Sequence, residues 1–248
     1  MEKKERLKEK IIIALDVGTK EEALALAGEL KDARIFKIGL ELFTAEGPAL
    51  LQEAAAMDKK VFLDLKYHDI PNTVGGAVRS AARHGVHMLT LHTSGGKEMM
   101  AAAAGAARAE SARTGRPKPI LLGVTVLTSL KDDDLHQIGY IGSTADQVLR
   151  LALLAQAAGL DGVVCSPHEI EIVKKECGPD FLVVTPGIRP VWAVSQDQKR
   201  IMPPAEAVRK GADYIVIGRP VTGAPSPHRA FLSILEEIQG VTDFIEDD

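Results

Sequence analysis

The sequence predicts an α/β chain folded as one (β/α)8 barrel, of the TIM-barrel class, spanning residues 1–248. Three observations carry that reading. The chain has 248 residues, close to the ~250 typical of this architecture. Short apolar, β-branched runs alternate with longer segments of helical period from one end to the other, which is the pattern of βα units around a parallel sheet. Charged and polar residues gather at the C-terminal ends of the runs, where barrels of this kind place their chemistry.

In chain order the strands are expected at residues 11–16, 34–39, 61–66, 86–92, 120–125, 162–166, 181–185 and 214–218. Each is a short apolar run, as expected of strands buried on both faces. Helical period is read at 20–31, 73–84, 97–113, 144–158, 167–176 and 204–211, with a last segment near 227–238. The Ala-rich 97–113 is simply strong helix former. Gly85, Gly159 and Gly211 follow helical runs, where a residue of positive φ is expected to end the helix. Eight such units favour a closed barrel, because an open sheet would leave two edge strands to protect. No segment reads as an interdomain linker.

Composition narrows the function. The chain is 46% hydrophobic and 26% charged, with 22 Gly and 13 Pro, an ordinary globular balance that excludes disorder, collagen and a disulfide scaffold. Lys and Arg number 30 against 34 Asp and Glu, so no global positive field exists to hold a nucleic acid. Only 4% of residues are aromatic, too few for a base-stacking platform. The two cysteines, Cys165 and Cys177, lack metal-type spacing, and a reduced, cytoplasmic protein is the simplest expectation. The basic start MEKKERLKEK is followed by an apolar stretch that stops at Asp16, too short for a signal or a membrane span. Any anionic ligand must therefore be caught by a few local groups.

Those groups are visible in the strands. Side chains alternate along a strand, so in IFKIG Lys37 points away from Phe36 and Ile38, toward the barrel axis. In VFLDLKYHDI, Asp64 and Lys66 share one face and Leu63 and Leu65 the other. Neighbouring strands thus send Lys37, Asp64 and Lys66 into one mouth, with Asp16 and Asp69 available as partners. Isolated charges in a desolvated site cost several kcal/mol each, so the set should persist as an alternating network. A lysine held charged between carboxylates can stabilise a carbanion and then protonate it.

The loops after the last two strands carry VVTPGIRP and VIGRPVTGAPSP. Barrels often bind phosphate there through backbone N–H groups at a Gly-containing turn. Gly187 and Gly218 permit close approach, and Arg189 and Arg219 offer bidentate donation. Residues 191–201 lack strand or helix period and read as a lid.

Together, ALD (14–16), KIGLELF (37–43), DLKYHDIPNT (64–73), VTVLTS (124–129), TPGIRP (185–190), DQKR (197–200) and IGRPVT (217–222) resemble the bacterial orotidine 5′-phosphate decarboxylases, in the family's order and from first strand to last. The resemblance implies a metal-free, cofactor-free decarboxylation of orotidine 5′-phosphate to UMP by a homodimeric barrel. By the family pattern Lys66 is the proton donor, with Lys37, Asp64 and Asp69 completing the charges. Asp69, Ile70 and Thr73 would reach across the dimer, Asp16 and Lys37 would meet the ribose, and Thr128 the pyrimidine. Arg189, Gln198, Gly218 and Arg219 would hold the phosphate or close over it. Residues 1–10 and 246–248 lie outside the resemblance, as charged extensions.

Other readings of the same residues stay open. A metal-dependent relative acting on a sugar phosphate shares the DxKxxD core, and a non-catalytic phosphosugar-binding barrel would share the phosphate loops. His68 and His92 read as hydrogen-bonded structure at strand ends, Asp132–Asp134 as an acidic lead into a helix, Trp192 as lid packing and Cys165 as core near the sixth strand.

Overall fold

The computed structural model describes residues 2–193 and 202–245. Eight strands, β1 (Ile11–Ala14), β2 (Ile35–Gly39), β3 (Lys60–Tyr67), β4 (Met88–His92), β5 (Ile120–Val124), β6 (Gly162–Val164), β7 (Leu182–Thr185) and β8 (Tyr214–Ile217), close into a barrel. Every pairing is parallel and the strands neighbour one another in sequence order; Ile11 facing Ile215 closes the ring.

Helices occupy the connections. A first helix, α1 (Glu2–Lys8), precedes β1, and α2 (Lys20–Glu29) joins β1 to β2. Two short helices, α3 (Leu40–Glu46) and α4 (Ala49–Ala56), lead to β3, and α5 (Pro71–Arg83) and α6 (Gly96–Thr114) flank β4. Beyond β5 come α7 (Asp132–Gln137) and α8 (Thr144–Ala157), then α9 (Ile170–Cys177) after β6. The remaining helices are α10 (Pro204–Arg209), the single turn α11 (Arg219–Thr222) and α12 (Pro227–Ile245). Gly85, Gly159 and Gly211 have φ of 74°, 82° and 104° behind α5, α8 and α10, as their positions predict.

Strand alternation sorts the apolar residues into two layers. Ile12, Ile35, Phe62, Met88, Leu122, Val184 and Val216 fill the barrel interior. Phe36, Ile38, Leu63, Leu89, Val163 and Ile215 point outward and join the helices in the larger core. Above the interior layer, hydroxyls tie the C-terminal ends of successive strands. Thr93 donates to the Val124 carbonyl at 2.8 Å, Thr125 to that of Val164 at 2.9 Å and Thr185 to that of Cys165 at 3.2 Å.

The charged N-terminal segment expected to lie outside the motifs is structured from Glu2. Leu7 of α1 is buried, and the Lys8 ammonium donates to Glu5 at 2.6 Å and Asp32 at 2.7 Å. That ammonium, with His228 second, holds the Asp32 carboxyl down to about 2. The Lys10 carbonyl accepts from the Ile215 N–H, so the segment sits at the N-terminal ends of the strands, away from the mouth.

Candidate active site

At the opposite end, β1, β2 and β3 deliver an alternating chain of charges. The Lys37 ammonium donates to Asp16 Oδ1 at 2.9 Å and lies 3.7 Å from Asp64 Oδ2. The Lys66 ammonium donates to the same Asp64 oxygen at 2.8 Å. Asp16, Lys37, Asp64 and Lys66 therefore run minus, plus, minus, plus. The side chains of Lys37 and Asp64 are each 12% exposed, while that of Asp16 at the rim is 60% exposed. At this depth each charge is compensated by a neighbour, which is how such a set avoids the desolvation cost of lone ions. Gly39 makes room for it: a Cβ there would lie 3.2 Å from Lys37 Nζ.

Lys66 departs from the simple alternation that places it beside Asp64. The β3–β4 register shifts between Leu63 and Tyr67, and Lys66 has φ of 51°. A left-handed residue bearing a side chain costs roughly 1–2 kcal/mol. The contact between Lys66 and Asp64 is as expected, but it is made where the ladder is irregular and not along a regular strand. Sequence reasoning also passed over Thr90, fully buried in β4. Its hydroxyl donates to Asp64 Oδ1 at 2.9 Å and accepts from the Lys66 N–H at 2.9 Å. The available signal was a hydroxyl between Leu89 and Leu91 in the run MLTLH.

Lys37, Asp64 and Lys66 open into a cavity of about 200 Å³ whose other walls include Phe62, Val126, Thr128, Val164 and Cys165. It is thus charged on one side and apolar on the other, with the Thr128 loop at its edge. Burial pushes the Cys165 thiol far up, so it is an inert wall. The rings of His68 and His92 lie tilted at 41° to one another with centroids 5.5 Å apart. Burial, then His68 and Lys66, lowers the His92 pKa, which favours a neutral ring.

The remaining expected site residues fall in three groups. Asp69, Ile70 and Thr73 lie at the exposed N-terminus of α5; Asp69 Oδ1 accepts from the Ile70 N–H at 2.6 Å, and Ile70 is 66% exposed. Among the described residues, Asp69 makes no ion pair with Lys37 or Lys66. Gly187 has φ of 78°, and buried Arg189 donates its N–H to the Met202 carbonyl, which fixes the loop after β7. Gly218 ends β8 against Ala14 and Asp16, and Arg219 follows it at the surface. Gln198 and residues 194–201 of the expected lid lie outside the described residues, as does the tail 246–248. Trp192, expected as lid packing, is 53% exposed on the turn Val191–Ala193. The acidic run opens α7, where Asp132 accepts from the Thr144 N–H and Asp134 from the Lys131 N–H. Carboxylates in a first turn complement the helix dipole.

The chain is similar to known proteins over most of its length. Residues 9–234 match the model of the "Orotidine 5'-phosphate decarboxylase / HUMPS family". An orotidine 5′-phosphate decarboxylase of Moorella thermoacetica is 51% identical over 236 residues, covering 94% of each chain. One from Pelobacter propionicus is also 51% identical, covering 95% of this chain and 97% of that protein. The crystal structure of orotidine 5′-phosphate decarboxylase from Lactobacillus acidophilus superposes with a TM-score of 0.81 at 38% identity, covering 92% of this chain and 98% of that one.

Proposed function

The chain belongs to the orotidine 5′-phosphate decarboxylase / HUMPS family, and from that premise we propose that it converts orotidine 5′-phosphate to UMP and CO2 with its own charged side chains as the catalytic apparatus. The observation that carries the reading is the Asp16–Lys37–Asp64–Lys66 chain at the mouth of the barrel. In the reaction the bond from C6 to the carboxylate carbon breaks, CO2 leaves, and the electron pair stays on C6. The pyrimidine cannot delocalise that pair well, so a preorganised positive group must stabilise it. Lys66 supplies the charge and then transfers an ammonium proton to C6, regaining one from solvent. Asp64 holds Lys66 in place and lies beside the departing carboxylate. Asp16 and Lys37 take the ribose hydroxyls, and Thr128 the edge of the base.

Arg189, Gln198, Gly218 and Arg219 hold the phosphate, remote from C6. Binding energy gained there is available to close residues 191–201 over the site and exclude water. Asp69, Ile70 and Thr73 are exposed in one protomer, consistent with their completing the site of a second copy in a homodimer. Among the described residues no helix is long and apolar enough to cross a membrane; the two free cysteines support the cytoplasmic location we propose.

One observation bears on the metal-dependent alternative. The Lys37 ammonium lies between Asp16 and Asp64, so a divalent cation bridging those carboxylates would have to displace it. The direct test of the proton donor is Lys66→Ala. Turnover is expected to fall by about 10³-fold or more, the scale of a lost general acid combined with lost charge stabilisation. UMP affinity, measured by calorimetry, is expected to survive through the phosphate loops. Near-normal turnover in that variant removes Lys66 from the role.

A further inference from the structure

We propose that Thr90 is a positioning residue for this reaction: its hydroxyl joins the Lys66 backbone to the Asp64 carboxylate and so sets the left-handed turn from which Lys66 reaches the cavity. The inference rests on the function proposed above. Thr90 follows Met88 on the inward face of β4, one layer nearer the mouth, and is fully buried. The β3–β4 ladder loses its register between Leu63 and Tyr67. There the Lys66 N–H is taken by Thr90 Oγ1 at 2.9 Å, a side chain standing in for the strand partner. The same oxygen gives its one proton to Asp64 Oδ1 at 2.9 Å, leaving Asp64 Oδ2 for the two lysines.

A hydroxyl has one donor and spare acceptor capacity, and Thr90 uses both kinds on the two residues the mechanism needs in register. The bulge, the φ of 51° at Lys66 and the orientation of Asp64 then have one common cause. With the hydroxyl gone, a buried N–H and a carboxylate lone pair lose their partner together, and regular strand geometry at Lys66 becomes the better solution. The ammonium would then no longer fold back on Asp64.

The experiment compares Thr90→Val, which keeps the shape and removes the hydroxyl, with Thr90→Ser, which keeps the hydroxyl. Full-length proteins are examined by crystallography, by kinetics on orotidine 5′-phosphate and by UMP calorimetry. In Thr90→Val, Lys66 should leave the left-handed region and kcat should fall about 10- to 100-fold, the usual effect of losing an outer hydrogen bond to a functional group. KM and UMP affinity should move by less than about 3-fold, because the loss falls on the transition state and not on binding. Thr90→Ser should recover most of kcat; if the valine variant does not fold, Thr90→Ala takes its place in the comparison. The proposal is overturned if the variant lacking the hydroxyl keeps wild-type kcat, if Lys66 keeps its left-handed conformation, if the loss appears in KM, or if serine loses as much as valine. Absence of turnover in the unsubstituted protein would instead defeat the proposed function, and the Lys66 conformation in Thr90→Val would then decide the role of Thr90 alone.

Discussion

Lys66 holds a backbone conformation that a lysine normally avoids, with φ of 51°. Strain of this kind persists where the surroundings over-determine it, and such places are often functional sites. Here the determinants are a carboxylate, a hydroxyl and a broken ladder. Arg219 presents a simpler case at the end of β8, exposed beside Gly218. If its guanidinium grips the phosphate, Arg219→Ala should raise KM for orotidine 5′-phosphate about 10- to 100-fold, the worth of a charge-assisted bidentate contact. Arg219→Lys should recover only part of that, since an ammonium lacks the fork geometry. An unchanged KM in initial-rate measurements would remove Arg219 from the phosphate site. The convergence of Lys37, Asp64 and Lys66 was legible in the sequence because charges inside otherwise apolar strands have few places to point. The bulge was not legible, because a two-residue period carries no mark of a residue that leaves it, and Thr90 looked like an ordinary β-branched strand residue.

At the scale of elements, all eight strands were readable because strands covered on both faces appear as continuous apolar runs. The short helices were harder. Nothing in the period announces α3 and α4, of seven and eight residues, because helices of that length are held by tertiary packing more than by their own propensity. β2 runs directly from Gly39 into α3, and Gly47 with φ of 67° ends that helix. Gly162 shows how tightly the barrel closes: a Cβ there would collide with the carbonyl oxygen of Leu182 across the β6–β7 pair. Backbone cannot yield as a flexible side chain can. Gly162→Ala should therefore destabilise the barrel by about 1–3 kcal/mol, the cost of overpacking, read from urea unfolding. An unchanged midpoint would mean that β6 shifts freely.

Across the whole molecule, His87 just before β4 and His92 at its end are both held toward the neutral form. Burial and then Lys60 lower His87, against a smaller opposing effect of Glu9; burial, His68 and Lys66 lower His92. The unfolded chain takes up these protons around the ordinary value of 6.5, before the folded chain does. Their contribution to stability is therefore complete above that pH and is lost as pH falls through it toward the lowered folded values. Unfolding midpoints should drop between about pH 7.5 and 5.5, and His87→Asn should flatten that slope. A slope of the opposite sign would show that the histidines gain partners on folding.

Net charge, −4 over the chain, gives no help toward an anionic substrate. In the proposed reaction capture would fall to Lys37, Lys66, Arg189 and Arg219, which lie on or just after four different strands at one end of the barrel. The proposed decarboxylation by this arrangement needs no metal. It is tested most directly by adding orotidine 5′-phosphate to the purified, chelator-treated protein and following the loss of its ultraviolet absorbance. Full turnover is expected, unchanged when Mg²⁺ is restored; turnover that appears only with the metal, or none in either condition, would contradict the proposed function.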